Sequence, residues 1–293
     1  MIVGVDSQQY LVPMQPVLGK PFDRTGWIYE EKYDGRRMLA FKDGPRVRLI
    51  SRQGVDHTER FRELASAVAA LKAPALILDG EVAVFDKNLI SQFHLLDRHT
   101  DEPCTPPVLM AFDCLRVHGL DVLRLPLHRR RYMLEQEVAG SNFVYTARRL
   151  PDNGLTAWGV VKERGYEGLV AKDAESSYRG GPTRSWVKVK IRRESRFVLG
   201  GIVGLPHTFA GILVGQRVRR RLLFRGTVEW GVGMRTAQDL PRRAPERSTS
   251  PFHDFRLSRA VTWLEPMLHV DLTYSEIMEG HLRDPVYRGL VGG

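Results

Sequence analysis

The chain has 293 residues, 43% of them hydrophobic, enough to bury a sizeable core in one large or two ordinary domains, which excludes disorder throughout. Lys and Arg number 44 against 34 Asp and Glu, giving +10 and a pI near 9.8, so polyanionic partners such as nucleic acid are expected. Two cysteines, Cys104 and Cys114, without a CxxC pair, exclude a disulfide framework and a four-cysteine zinc site. Residues 1–10 carry neither a basic n-region nor an apolar h-region, and no apolar run is long enough to span a bilayer. The expectation is a cytoplasmic, nucleoid-associated protein with no membrane partner.

Residues 10–27 carry three prolines and read as an extended arm on the first domain. Residues 27–32, Trp-Ile-Tyr-Glu-Glu-Lys, read as a strand entering the turn Tyr33-Asp34-Gly35. Alternation puts Glu30 and Lys32 on one face and Trp27, Tyr29 and Glu31 on the other, so a carboxylate and an amine share one pocket wall. Residues 37–41 and 46–51 flank Asp43-Gly44, a hairpin signal. The polar turn Ser51-Arg52-Gln53-Gly54 follows and can return an arginine towards Lys32.

From Asp56 the period becomes helical, with Asp56 and Glu59 as a capping box and Phe61, Leu64, Val68 and Leu71 on one face. Residues 76–85 read as a strand carrying Asp79 and Glu81 on an otherwise apolar row, where buried acids need a cation, a hydroxyl or solvent. Ser91 is expected to cap a short helix through Arg98, with a turn-rich loop at 101–107. Residues 108–115 return to strand and carry Phe112, a stacking platform for a base or a core aromatic. A basic amphipathic helix is expected at 126–138, and another helix at 156–164 stopped by Gly165.

The stretch Tyr166-Glu167-Gly168-Leu169-Val170-Ala171-Lys172 reads as a strand whose glycine admits close approach of a flat or phosphorylated group. Residues 186–191 alternate most cleanly of all, with Trp186, Lys188 and Lys190 on one face and Val187, Val189 and Ile191 on the other. Two ammoniums side by side repel, and a polyphosphate compensates them. A charged junction at 192–196 precedes strand patterns at 197–203, 209–215, 221–230 and 263–277, with a small helix near 235–240 and a loop at 241–251 rich in proline and arginine. Five or so strands and one helix suit a partly open Greek-key barrel of the OB type, rimmed by Arg217, Arg219, Arg220, Arg221 and Arg225.

Taken in order, Lys32-Tyr-Asp-Gly, Ser51-Arg-Gln-Gly, Asp79-Gly-Glu, Phe112-Asp113, Glu167-Gly-Leu-Val and Lys188-Val-Lys190 resemble the motif series of covalent nucleotidyltransferases. The spacing is most similar to ATP-dependent DNA ligases, nearest the small two-domain bacterial and archaeal kind and the ligase module of end-joining proteins. The resemblance implies an α+β chain: an adenylation domain of antiparallel sheets and helices at 1–193 and an OB-fold β-barrel at 194–293. It implies ATP and Mg²⁺ as cofactors, Lys32 as the nucleophile that takes up AMP, and nicked double-stranded DNA as the substrate, in repair or end joining. Glu30 would accept from the adenine amino group and Phe112 would stack on the base. Arg37, Arg52 and Glu81 would hold the ribose and the phosphate side. Lys188 and Lys190 would contact the α-phosphate, and Glu167, with Asp34, would hold Mg²⁺.

Lys172, five residues beyond Glu167, is expected on the opposite face of a regular strand. Family members usually close with a basic Arg-x-Asp-Lys type segment; here Arg283 and Pro285 fit its approach but no Asp-Lys follows, which puts the self-adenylation step in question. A monomer is expected, with weak, salt-sensitive nick binding assisted by Ku, other repair proteins or a polymerase. The competing readings are an RNA ligase or capping-type guanylyltransferase on the same lysine motif, and a nick-binding module without catalysis. NAD-dependent ligation is disfavoured by the short stretch before Lys32 and the missing cysteine quartet.

Overall fold

The computed structural model describes residues 11–97, 104–204, 208–253, 255 and 260–291, and the chain divides after Lys190 into two compact units. The expectations for residues 1–10, for Arg98 and for 101–103 lie outside that description. In the first unit the strands are β1 (Met14–Leu18), β2 (Trp27–Lys32), β3 (Arg36–Asp43), β4 (Arg46–Ser51), β5 (Ala75–Ala83), β6 (Val108–Val117), β7 (Leu120–Asp121), β8 (Val144–Thr146), β9 (Gly168–Asp173) and β10 (Gly181–Lys190). Its helices are α1 (Arg62–Ala69), α2 (His94–Asp97), α3 (Leu127–Val138) and α4 (Gly154–Arg164).

Two sheets organise this unit. One runs β1-β10-β9-β2, antiparallel except for β1 on β10; the other runs β4-β3-β5-β6-β7, with β8 parallel to β6. Leu64 and Val68 of α1 and Leu134 and Val138 of α3 pack with Met38, Leu49, Leu78 and Leu109 of the second sheet into the main core. The β3–β4 hairpin turns at Gly44, whose φ of 54° suits a residue without Cβ.

Four local readings change. The capping box does not form: Asp56 turns its carboxylate onto the Thr58 amide (2.9 Å) and hydroxyl (2.5 Å), an Asx turn that outcompetes helix, and α1 starts only at Arg62. Ser91 is not a helix cap; its hydroxyl accepts from the Asp34 amide at 2.9 Å. The helix α3 is not simply basic on a wet face, because Arg130 and Arg131 are buried. The helix α4 begins earlier than the spacing predicts, with the Asn153 side chain accepting from the Leu155 and Thr156 amides, and ends at Gly165 in the left-handed region as expected.

The second unit contains β11 (Arg193–Val203), β12 (Gly211–Val218), β13 (Arg221–Val228), α5 (Met234–Arg243), β14 (Glu246–Arg247), β15 (Val261–Leu264), β16 (His269–Tyr274), β17 (Glu276–Met278), β18 (His281–Arg283) and β19 (Val286–Val291). Antiparallel pairing runs β13-β12-β11-β16-β19, with β15 and β14 branching from β11 and β17–β18 standing as a separate hairpin. Among the described residues no strand ladder closes this sheet into a barrel; a single bridge, Trp230 to Val286, links the segment after β13 to β19. Ala237 and Leu240 of α5 pack with Ile212, Val214, Val270 and Leu272 in its core.

Within the first unit, β9 is the central strand of the β1-β10-β9-β2 sheet's functional half. Gly168 is opposite Lys32 on one side and Lys190 on the other; Val170 is likewise opposite Glu30 and Lys188, and Lys172 opposite Ile28 and Trp186. Directly opposed residues share a face, so this register puts all the lysines and Glu30 on the same side. A Cβ on Gly168 would lie 2.1 Å from the Val189 carbonyl oxygen. The glycine therefore serves the approach of β10 rather than that of a ligand. Gly168→Ala is expected to cost roughly 2–4 kcal/mol of stability, as forced strand displacements do, read as a lowered urea midpoint; an unchanged midpoint would contradict the packing described.

Candidate active site

Lys32, the last residue of β2, donates from Nζ to Oε2 of Glu167 at 2.5 Å. Lys190, at the end of β10, reaches the other oxygen of the same carboxylate at 3.2 Å. One carboxylate thus holds two ammoniums from strands that flank its own. Glu167 can do this because it precedes β9 and escapes that strand's alternation.

The second sheet supplies the opposing groups. Arg37 and Glu81 are cross-strand partners on β3 and β5. Arg37 grips Asp79 with Nε at 2.9 Å and Nη2 at 2.6 Å, and the hydroxyl of Tyr178 donates to the same Asp79 at 2.6 Å. Burial weakens the charged form of Arg37, but Asp79 outweighs it and its pKa rises. The Tyr178 oxygen in turn accepts the Met14 amide at 3.0 Å, which ties the proline-rich arm into this network. Glu81 is pushed up to about 7 by burial, against the opposing pull of Lys32 and Arg37.

Deeper on the same face lies a second charged group. Glu30, 2% exposed, is 2.6 Å from Lys172 Nζ and accepts from Arg131, which also donates to the Ala147 carbonyl. Lys172 is expected from its distance to Glu167 on the opposite face; the structure overturns that, because the relevant count starts at Gly168 and places Lys172 with Gly168 and Val170. Its ammonium lies 4.3 Å from the ring centres of both Phe112 and Trp186, and burial lowers its pKa. Phe112 is the extra residue where the β5–β6 register slips between Asp79 and Gly80, and this bulge sets its ring edge-on to Trp186 and 5.3 Å from the Arg37 guanidinium. Trp186, expected on the ligand-facing side with the lysines, is one of the most deeply buried side chains.

Glu30, Lys32, Arg37, Glu81, Phe112, Glu167 and Lys190 are therefore linked through these contacts, with Lys188 held to the same face by its register against Val170. One expected member is not. Arg52 is exposed in the turn at 51–54, and no hydrogen bond or ion pair ties it to the cluster among the described residues, as suits a long cation on a solvated turn. Asp34, 8% exposed, accepts the Phe93 amide on Oδ2 at 3.1 Å, which ties it to the segment after β5. Sequence reasoning missed Lys172, Arg131, Asp79 and Tyr178 as site members. Lys172 could have been found by counting alternation from Gly168; the other three are brought in by tertiary pairing alone.

For a divalent ion the fitting donors are Glu167 and Glu81. Glu81 is a partly buried acid whose pKa desolvation raises despite Lys32 and Arg37, and Mg²⁺ commonly takes one or two carboxylates while keeping waters and phosphate oxygens. Across β2 lies another buried acid, Glu31, 3% exposed, with Arg148 Nη1 at 3.2 Å and no hydrogen bond to either carboxylate oxygen. Burial pushes it up to about 7.

The family model described as ATP dependent DNA ligase domain matches residues 14–190, and that described as ATP dependent DNA ligase C terminal region matches 206–291. The multifunctional non-homologous end joining DNA repair protein LigD of Mycobacterium tuberculosis is 31% identical over 275 residues, covering 90% of this chain and 36% of that protein. LigD of Pseudomonas aeruginosa is 27% identical over 300 residues, covering 96% and 35%. The chain thus spans about a third of the length of these curated relatives. The crystal structure of the ligase domain from M. tuberculosis LigD is similar at 29% identity and TM-score 0.58, over 96% of this chain and 95% of that one. A mycobacterial DNA ligase D complexed with ATP and MES gives TM-score 0.59 at the same identity and coverage.

The buried acid beside Lys32 yields a pH prediction. A carboxyl whose folded pKa lies above its unfolded value loses stability as pH rises through the window between them, here from about 4.5 to about 7. Glu31→Gln is expected to exceed the parent in stability by roughly 1–2 kcal/mol at pH 8 and to show no advantage at pH 4, by urea unfolding at each pH. An advantage of equal size at both would contradict the burial argument.

Proposed function

The chain belongs to the ATP-dependent DNA ligase family, and from that membership together with the site geometry we propose that it seals nicks in double-stranded DNA, in repair by end joining. The observation that carries this reading is the sharing of Glu167 by Lys32 and Lys190 on the face that also carries Glu30 and Lys188. Such a face offers a nucleophile, a base-recognising carboxylate and phosphate-binding cations in one row.

Lys32 Nζ attacks the α-phosphorus of ATP; a P–N bond forms and the P–O bond to pyrophosphate breaks. The AMP is then transferred to the 5′-phosphate at the nick, and the 3′-hydroxyl displaces it as the phosphodiester forms. An ammonium has no lone pair, so Lys32 must give up a proton first, and Glu167 is the base within hydrogen-bond reach. Lys188 and Lys190 meet the charge that builds on the α-phosphate oxygens. Arg37, fixed by Asp79, and Glu81 address the ribose and phosphate side, joined by Arg52 on substrate binding. Phe112 stacks on the base, and Glu30, held by Lys172 and Arg131, accepts from the adenine amino group.

When bound, Mg²⁺ supplies positive charge at the α-phosphate. Glu167 and Glu81 are the residues that would hold it, with Asp34 on the turn after Lys32 as the further carboxylate. The adenylation domain is then assigned to residues 1–193, three residues past the division after Lys190, and an OB-type domain to 194–293, with the arginine-rich β12–β13 turn against DNA. The protein works as a monomer in the cytoplasm at the nucleoid, with Ku or another repair protein bringing DNA ends to it.

Sealing of a labelled nicked duplex should require ATP and a divalent ion, fail with GTP or NAD, and disappear in Lys32→Ala. Use of GTP would favour the capping-type reading; nick binding without sealing under any nucleotide would favour a non-catalytic module. Lys172→Met should raise the KM for ATP at least about tenfold, as removal of a buried charge partner does, with a smaller effect on sealing of a pre-adenylated nick. Nick affinity should fall steeply with salt, and a flat dependence would contradict the electrostatic component.

A further inference from the structure

Five tryptophans occur in the chain, and Trp230 alone is exposed, at 72% the most accessible large apolar side chain among the described residues. An indole so placed is unusual, because tryptophan is on average one of the more buried side chains. It is also not a loosely held one. The Trp230 carbonyl accepts the Tyr287 amide at 2.9 Å, Trp230 bridges Val286, and Gly231 follows at φ 85° with the Tyr287 carbonyl only 2.5 Å from where a Cβ would be. The backbone therefore presents the ring outward from a fixed point on β19.

The surroundings are basic. Met234, 43% exposed, and exposed Arg235 open α5 immediately after the turn, Arg243 ends the same helix, and exposed Arg288 follows on β19 with its Nε on the Thr273 hydroxyl at 3.0 Å. The acids close by are Glu229 and Asp239, and Asp239 is tied to Arg243 at 2.6 Å. An exposed aromatic ring on a fixed backbone, with arginines on the neighbouring segments, matches the chemistry of unpaired nucleotides, whose bases stack while their phosphates meet cations. A paired duplex hides its base faces and gains little from an indole.

We propose that Trp230, with Arg235, Arg243 and Arg288, is a stacking site for an unpaired nucleotide of the DNA substrate. It rests on the reading that DNA is the substrate, and extends it from paired nicks to DNA carrying single-stranded extensions.

In the full chain, oligothymidylate should quench the tryptophan fluorescence, and Trp230→Phe should remove most of that quenching. Trp230→Ala should weaken binding to a duplex with a single-stranded extension by at least about fivefold, the lower end of what one base–aromatic stack provides. Binding and sealing of a fully paired nick should stay within about twofold. No quenching, or equal loss on both substrates, overturns the proposal. Shielding of the indole from acrylamide that grows with protein concentration, without DNA, overturns it in favour of a protein contact. If the unaltered chain binds neither DNA, the substrate reading itself fails, and the two failures are thereby distinguished.

Discussion

The carboxylate of Glu167 is the counter-ion to two lysines that arrive from opposite edges of β9. Like charges directly across a strand repel, so Lys32 and Lys190 can stand on either side of Gly168 only while an anion lies between them. Removing Glu167 would leave two partly buried ammoniums facing each other, and removing either lysine leaves the acid with the other. This mutual dependence makes the row of cations a property of the folded sheet rather than of one side chain. It also leaves the Lys32 amine within hydrogen-bond reach of a carboxylate that can take a proton.

A second cluster, deeper in the same face, works under harsher electrostatics. Glu30, Lys172 and Arg131 are all nearly inaccessible, and charges taken out of water are tolerated only when paired and hydrogen-bonded. The arrangement largely meets that condition with two cations on one acid, the aromatic rings of Phe112 and Trp186 against the lysine, and backbone carbonyls for Arg131 Nη2 and Lys172 Nζ, while Arg131 Nε keeps no hydrogen-bond partner. Arg130 closes a parallel pair with buried Asp113 from the next position of α3. That helix, exposed on one side, therefore braces the buried Glu30 cluster from behind. The consequence for function is rigidity: Glu30 cannot swing away without stranding Lys172.

Much of this was legible in the chain itself. The β2 alternation, the Asp43-Gly44 hairpin, the Gly165 stop and the Lys188–Lys190 row follow from local rules, and the structure keeps them. What failed was of three kinds. Short-range polar competition, as at Asp56 with Thr58 and Ser91 with Asp34, replaced expected caps by turns and cross-links. Tertiary pairing did the rest: no spacing in the sequence marks Arg131 as the partner of Glu30, or Tyr178 as that of Asp79, because each pair joins segments about a hundred residues apart. Lys172 was misread for a third reason, counting from Glu167, which lies outside the strand.

The most direct measurement is intact-protein mass spectrometry after incubation with ATP and Mg²⁺, followed by peptide mapping of any adduct. The account predicts one added AMP, stable to base as a phosphoramidate is and labile to acid, on the peptide containing Lys32, and absent from the Lys32→Ala protein. AMP on another residue, or none on a folded protein that still binds ATP, would contradict it.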